Sequence, residues 1–300
     1  MATEQSSSLS DRIAVPDVVW DTVTNPKAAV GLAILVPVAL VSALGTTLAP
    51  YDPVAVHPAD AYLGPLSSGP EGMYVLGTDH LGRDLLSRII VGSRPSLLLG
   101  FGATALSLLL GVPIGLTAGY SKGRVDEVLM RLMDIMMSVP VLLLGVLILV
   151  VLPSSLFNII LAIGVVFVPR IARVARSATL SVSEEPYVVA AKARGESDVY
   201  ILFREILPNV TAPIVVEGSI RIGYAVMVGT SLSFLGLGTG PPHPDWGFMI
   251  NTARLHIYQT PWFLLWPSIA LLVTIMATNL LGDGLRDVLD PHAVEDGDGL

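Results

Sequence analysis

Three hundred residues carry 52% hydrophobic and only 14% charged side chains, with a mean hydropathy of +0.70; a soluble domain needs more polar cover than that, so the composition points to a chain solvated by lipid. The formal charge of −8 excludes the basic footprint that a nucleic-acid partner requires. With no cysteine, disulfides, thiolate nucleophiles and cysteine-held metals are excluded as well.

The chain opens on a polar stretch, Met1 to Lys27, that holds Glu4, Asp11, Asp17 and Asp21. It lacks the basic start of a cleaved signal peptide, so the first apolar run is expected to act as an uncleaved insertion signal. Apolar runs of about 20 residues match a hydrocarbon core of about 30 Å at a helical rise of about 1.5 Å per residue. Six are predicted, at 28–49, 96–120, 129–152, 156–175, 213–235 and 262–281. The first stops at the turn-forming Pro50-Tyr51-Asp52-Pro53, and the lower end of the fourth carries Arg170, Arg173 and Arg176. Lipid offers no partner for backbone groups, so the spans must be helices, and the alternating strands of a barrel are absent. The fold class is an all-α polytopic membrane protein.

Basic residues divide unevenly between alternate loops. Arg12, Lys27, Lys122, Arg124, Arg131, the arginines of the fourth span, Lys192, Arg194, Arg204 and Arg286 gather on one side, against Arg83, Arg88, Arg94 and Arg254 on the other. This predicts both termini in the cytoplasm, with Trp246 and Trp262 as external interface anchors. Residues 1–27 then form a cytoplasmic tail, 50–95 an external loop, 96–284 the membrane core, and 285–300 a solvated tail with Glu295, Asp296 and Asp298.

A second long loop, at about 177–209, demands its own structure. Ser183-Glu184-Glu185-Pro186 offers an N-cap, first-turn acids and a proline near the first helical position. A short helix through Ala190, Ala191 and Ala193 should end near Gly195, where a left-handed cap is easily adopted. Ser197 can cap a second helix, in which Val199, Leu202, Phe203 and Ile206 recur at i, i+3, i+4 and i+7 before Leu207-Pro208-Asn209 restarts the chain. Such a hairpin, at 184–208, either lies on the lipid surface or receives a partner protein.

Within the spans, Glu217 and Arg221 stand four apart in the order that favours a helical ion pair. They are read as an internally satisfied pair or as part of a substrate path touching a charged peptide terminus. Asp134 is expected to pair with a nearby arginine. Gly111, Gly115 and Gly119 present a small face, toward this chain or a second one, and Pro113 and Pro140 are candidate kinks. No G-x-x-x-x-G-K-[ST] loop occurs, and Gly236-Leu237-Gly238-Thr239-Gly240 has the wrong spacing for a dinucleotide fingerprint. The histidines (His57, His80, His243, His256, His292) have no metal-site spacing, no G-x-S-x-G elbow exists, and Glu217, Asp134 and Arg221 compose no intramembrane catalytic group.

Tyr187 to Gly195, continuing to Ile206-Leu207-Pro208, resembles the "EAA" loop of binding-protein-dependent ABC permeases. Leu76-Gly77-Thr78-Asp79-His80-Leu81-Gly82-Arg83-Asp84, Arg131 to Pro140, and Ser233 to Gly238 followed by Asp245-Trp246-Gly247 are similar to signatures of its C-type subunits for dipeptides, oligopeptides and nickel. The resemblance implies a type I ABC importer transmembrane domain in a prokaryotic plasma membrane, paired with a second permease chain as a heterodimer. It also implies one or two ATPase subunits, which bind ATP and Mg, and an external substrate-binding protein. This chain would hold no cofactor and would not itself be an enzyme. The ATPase contacts would fall on Val189, Ala190, Ala191, Gly195, Val199, Leu202, Phe203, Leu207 and Pro208. Val189 stands where the motif has its glutamate, and Glu205 where relatives often have histidine. The same architecture importing nickel or another small solute is the nearest alternative. An ion-driven secondary carrier, usually built on inverted repeats, fits six spans without a repeat poorly.

Overall fold

The computed structural model describes residues 15–70 and 72–289, so Glu4, Asp11, Arg12, His292 and the acids of the final stretch lie outside the described residues. The chain runs through helices α1 (Val15–Thr24), α2 (Pro26–Ala43) and the single turn α3 (Gly45–Leu48). A small antiparallel hairpin follows, β1 (Ser67–Gly69) with β2 (Gly72–Tyr74), and then α4 (Leu85–Ser121), α5 (Gly123–Met137), α6 (Val141–Val151) and α7 (Leu156–Val182). The remainder is α8 (Pro186–Ala193), α9 (Asp198–Tyr200) with a π-turn Ile201–Ile206, α10 (Thr211–Leu232), α11 (Trp246–Ala253) and α12 (Pro261–Leu289). Among the described residues, five helices are long and apolar enough to cross a membrane: α2, α4, α7, α10 with its π-turn extension to Leu237, and α12. The pair α5–α6 passes the same test when its two bent helices are taken together as one broken span, which brings the number to six.

Helix ends follow capping chemistry more than hydropathy. The helix of the second span starts at Leu85, well before the expected Ser96, because Asp84 accepts from the Ser87 N–H at 2.7 Å and caps it. Asp79, five residues earlier, caps no helix and accepts from Leu81 N and Arg83 N within a loop. At about 1.5 Å per residue α4 is about 55 Å long, so it projects beyond the hydrocarbon at both ends. α7 passes the expected stop at Ala175 and continues to Val182, since nothing breaks it before Glu184-Glu185-Pro186. α12 likewise extends past Leu281 to Leu289, and α2 begins at Pro26 under an Asn25 cap.

The expected third span is two helices meeting at 88°. Pro140 has no N–H for the ladder and forces the preceding residue out of helical geometry, while Ser138 Oγ donates to the Ile135 carbonyl that the break exposes.

α4 and α7 make the most extensive helix contact. The glycine stripe is the cause: a Cβ on Gly115 would lie 2.4 Å from the Ala172 carbonyl oxygen, and one on Gly111 or Gly119 would lie 2.8 Å from Ile171 or 2.7 Å from Thr179. The small face is thus spent within this chain. Leu99 and Ala103 of α4, Leu149 of α6, Ile159, Ile163 and Phe167 of α7, and Ala225, Val228 and Leu232 of α10 close the central core. α2 packs on α12, where Gly31 meets Ala277 and Leu281. The 49–84 loop, the α6–α7 turn and the α10–α12 connection lie at one end of the bundle, and α8–α9 at the other.

Candidate functional site

The hairpin between α7 and α10 is shaped by its caps. Glu185 precedes α8, with Pro186 at the first helical position, where no N–H needs a partner. Ser183 is not the N-cap expected from the sequence; it closes the longer α7, donating its hydroxyl to the Leu180 carbonyl. At the far end of α8 the Gly195 N–H reaches the Lys192 carbonyl and the Glu196 N–H the Ala191 carbonyl, a Schellman closure with Gly195 at φ +79°. Ser197 then caps the second helix, accepting from Tyr200 N at 3.3 Å.

That second helix does not present the regular stripe that its spacing predicts. Residues 201–206 form a π-turn, whose i→i+5 bonding widens the spiral and turns Ile201 and Ile206 together into the interior. Val199 and Phe203 face outward instead, with Tyr187, Val189 and Tyr200 beside them. Of the remaining residues singled out in the sequence, Ala190 and Pro208 are exposed, Leu202 and Leu207 half-buried, and Ala191 fully buried. The hairpin therefore has two apolar sides. Val188, Ala191, Ile201 and Ile206 pack on Leu116 of α4 and Ala175 of α7 with Leu202 and Leu207 against them, while Val189, Val199 and Phe203 meet solvent.

Polar contacts grip the end of α4. Tyr120 donates its hydroxyl to Asp198 at 2.9 Å, and Lys192 lies 4.3 Å from the Tyr120 ring centroid. Lys122 pairs with Glu184 at 2.9 Å and holds that carboxyl below its usual range. These α4 residues were not singled out from the sequence; a tyrosine and a lysine at a span's end look like ordinary interface residues until α8 is placed beside them.

A charged cluster lies deeper in the bundle. Arg221 Nε donates to Glu217 Oε1 at 2.7 Å, the i,i+4 pair expected in α10. Arg170 of α7 approaches the same oxygen at 3.5 Å. The sequence reading placed Arg170 at the lower end of its span. With α7 continuing to Val182 it falls near the middle, fourteen residues after Leu156 and twelve before Val182. Arg221 also lies over the Tyr224 ring at 4.9 Å and near Phe167 at 5.8 Å. Asp134 finds the arginine expected of it, Arg173 at 2.5 Å, and Arg176 binds both oxygens of Asp126 through Nε and Nη2.

The other motif residues form latches at the opposite end. Asp79 is fully buried and binds Arg83 Nε at 2.7 Å, with Arg88 Nε at 3.7 Å; Arg88 also donates to the Pro53 carbonyl at 2.6 Å. Asp245 accepts from Ser233 Oγ and from the N–H groups of Gly247 and Phe248, joining α10 to α11; burial pushes its carboxyl up while these bonds oppose the shift. Trp246 is 2% exposed and donates to the Ile89 carbonyl, so it is a core residue rather than an interface anchor. Trp262, stacked with Trp266, remains partly exposed.

Fold and site together define a polytopic, mostly helical membrane protein that carries a structured helical hairpin between α7 and α10. Residues 111–294 match the family described as binding-protein-dependent transport system inner membrane component. The chain is 39% identical over 275 residues to the di/tripeptide transport system permease protein DppC of Pseudomonas aeruginosa, covering 91% of this chain and 90% of that one. It is 40% identical to the glutathione transport system permease protein GsiD of Pectobacterium atrosepticum (88% and 86% covered). It is 36% identical to the probable D,D-dipeptide transport system permease protein DdpC of Escherichia coli K12, over 98% of both chains. The chain belongs to this family of ABC transport permeases, with the membrane domain of a type I importer.

Proposed function

We propose that this chain is one of two non-identical permease subunits of an ATP-driven importer for di- or oligopeptides. Separate ATPase subunits bind ATP and Mg and dock on the hairpin, and an external binding protein delivers the solute. Both termini lie in the cytoplasm, in keeping with the basic residues gathered at the hairpin end. The substrate class rests on the relatives, whose names specify di/tripeptides, D,D-dipeptides and glutathione.

The observation that carries the coupling role is the two-sided hairpin. Its inner side is continuous with the packing of α4 and α7, so a push on its exposed side moves the ends of two spans as one body. Val189 keeps apolar contact with an ATPase but offers no salt bridge there. Substitutions in the hairpin are expected to alter coupling rather than nucleotide chemistry, because hydrolysis occurs on the partner.

Gly195→Asp tests this. Nothing lies within 4 Å of a Cβ built on Gly195, so the substitution costs the isolated chain only the left-handed backbone strain, about 1–2 kcal/mol. Co-purification of the ATPase with the tagged, membrane-extracted chain should fall sharply. Normal recovery of the ATPase together with normal transport would remove the hairpin from the interface.

A further inference from the structure

We infer that the groove at the α5–α6 break binds a carboxylate of the transported solute, with Arg170 and Arg221 as its counter-charges; this rests on the importer reading above. The groove has a volume of about 560 Å³ and lies where the 88° bend carries α6 away from α5. Its wall includes Met136, Met137, Phe167 and Tyr224 with both arginines, and no acidic side chain. Glu217 stands behind that wall, and one of its oxygens serves both guanidinium groups. Two cations share one carboxylate, leaving one positive charge in excess at the groove.

Placement makes that excess informative. Arg170 sits about 20 Å from either end of α7, at the depth of the hydrocarbon, yet 55% of its side chain is uncovered. A guanidinium facing lipid there is costly, so this surface must meet water or an anion. Arg221, stacked on aromatic rings and tied to Glu217, is held in place, whereas Arg170 retains N–H donors directed away from its 3.5 Å contact. The rest of the wall is apolar and rich in methionine, which adapts to differing shapes. A site with one fixed positive charge and a compliant wall suits a solute with a constant carboxylate and variable side chains. Linear peptides have that chemistry.

The test uses the assembled importer in proteoliposomes and exploits the lack of cysteine. Met137→Cys places a single thiol in the groove wall, and its rates of modification by anionic and cationic methanethiosulfonates report the local potential. The anionic reagent should react faster, a preference lost in Met137→Cys/Arg170→Gln, and peptide added during turnover should protect the thiol. In the otherwise unsubstituted chain, Arg170→Gln should lower ATP-dependent uptake of a radiolabelled short-peptide digest by about tenfold, with recovery in Arg170→Lys, since a charge-assisted hydrogen bond is at stake. A thiol closed to both reagents, with uptake intact in Arg170→Gln, would mean that the partner permease fills the groove and would overturn the inference. Absence of uptake by the unsubstituted complex would instead defeat the importer reading, and the inference with it.

Discussion

Burial gives Asp79 more energetic weight than its place in a loop suggests. It faces two guanidinium groups in a site that water does not reach, and its removal would leave Arg83 and Arg88 buried without a counter-charge. Asp79→Ala should therefore cost about 3–5 kcal/mol, read as a lower unfolding temperature and faster proteolysis between Pro50 and Asp84. The neighbouring His80 stacks on His256 at 4.7 Å and on Phe263 at 5.8 Å. Burial lowers its pKa, with His256, Arg83 and Arg88 acting in the same direction and Asp79 opposing them. The unfolded chain then binds a proton near pH 6.5 that the folded loop refuses, so stability is lost as pH falls through that value. His80→Phe keeps the stacked surface and should flatten this dependence in unfolding curves recorded between about pH 5 and 8. The motif around Asp79 was legible in the sequence, but its work was not, because Arg88 lies in the first turn of a helix expected to begin later.

Elements in this bundle are longer, and more often broken, than hydropathy alone indicates. α4 starts in the Asp79 latch and ends in the hairpin, so one continuous helix joins the two ends of the molecule. Tyr120 bridges both arms at that joint, held by Asp198 from one arm of the hairpin and Lys192 from the other. Tyr120→Phe, which deletes only the hydrogen bond, should cost about 1 kcal/mol or less at this exposed site. Tyr120→Ala removes the ring as well, and should leave ATP hydrolysis by the assembled complex running while peptide uptake falls. Parallel loss of both activities would argue for misfolding rather than uncoupling. The two arms of the hairpin and the turn at Gly195 could be read from caps and glycine alone. Which apolar residues face inward could not, since a stripe counted at 3.6 residues per turn assumes an α-helix and residues 201–206 form a π-turn.

The whole molecule divides into one end with loops tied down by buried charge and an opposite end with a partly apolar hairpin. In the orientation proposed above, Ser68→Cys in the β-hairpin should react with an impermeant maleimide in intact cells, and Lys192→Cys only after lysis; the reverse pattern would invert the topology. Periodicity and composition by themselves determined that the chain is helical, that it crosses the membrane about six times, and that a hairpin separates the last two crossings from the first four. Those features depend on local properties: the length of an apolar run, the conformational freedom of Gly195, the missing N–H of Pro186. Tertiary structure alone decided that the glycine stripe of α4 is covered by α7, that Trp246 belongs to the core, and that Arg170 joins Glu217 and Arg221 midway along the bundle. Each of these depends on which helices become neighbours, and residues such as Arg170 and Glu217, 47 positions apart, carry no periodic signal that they will meet.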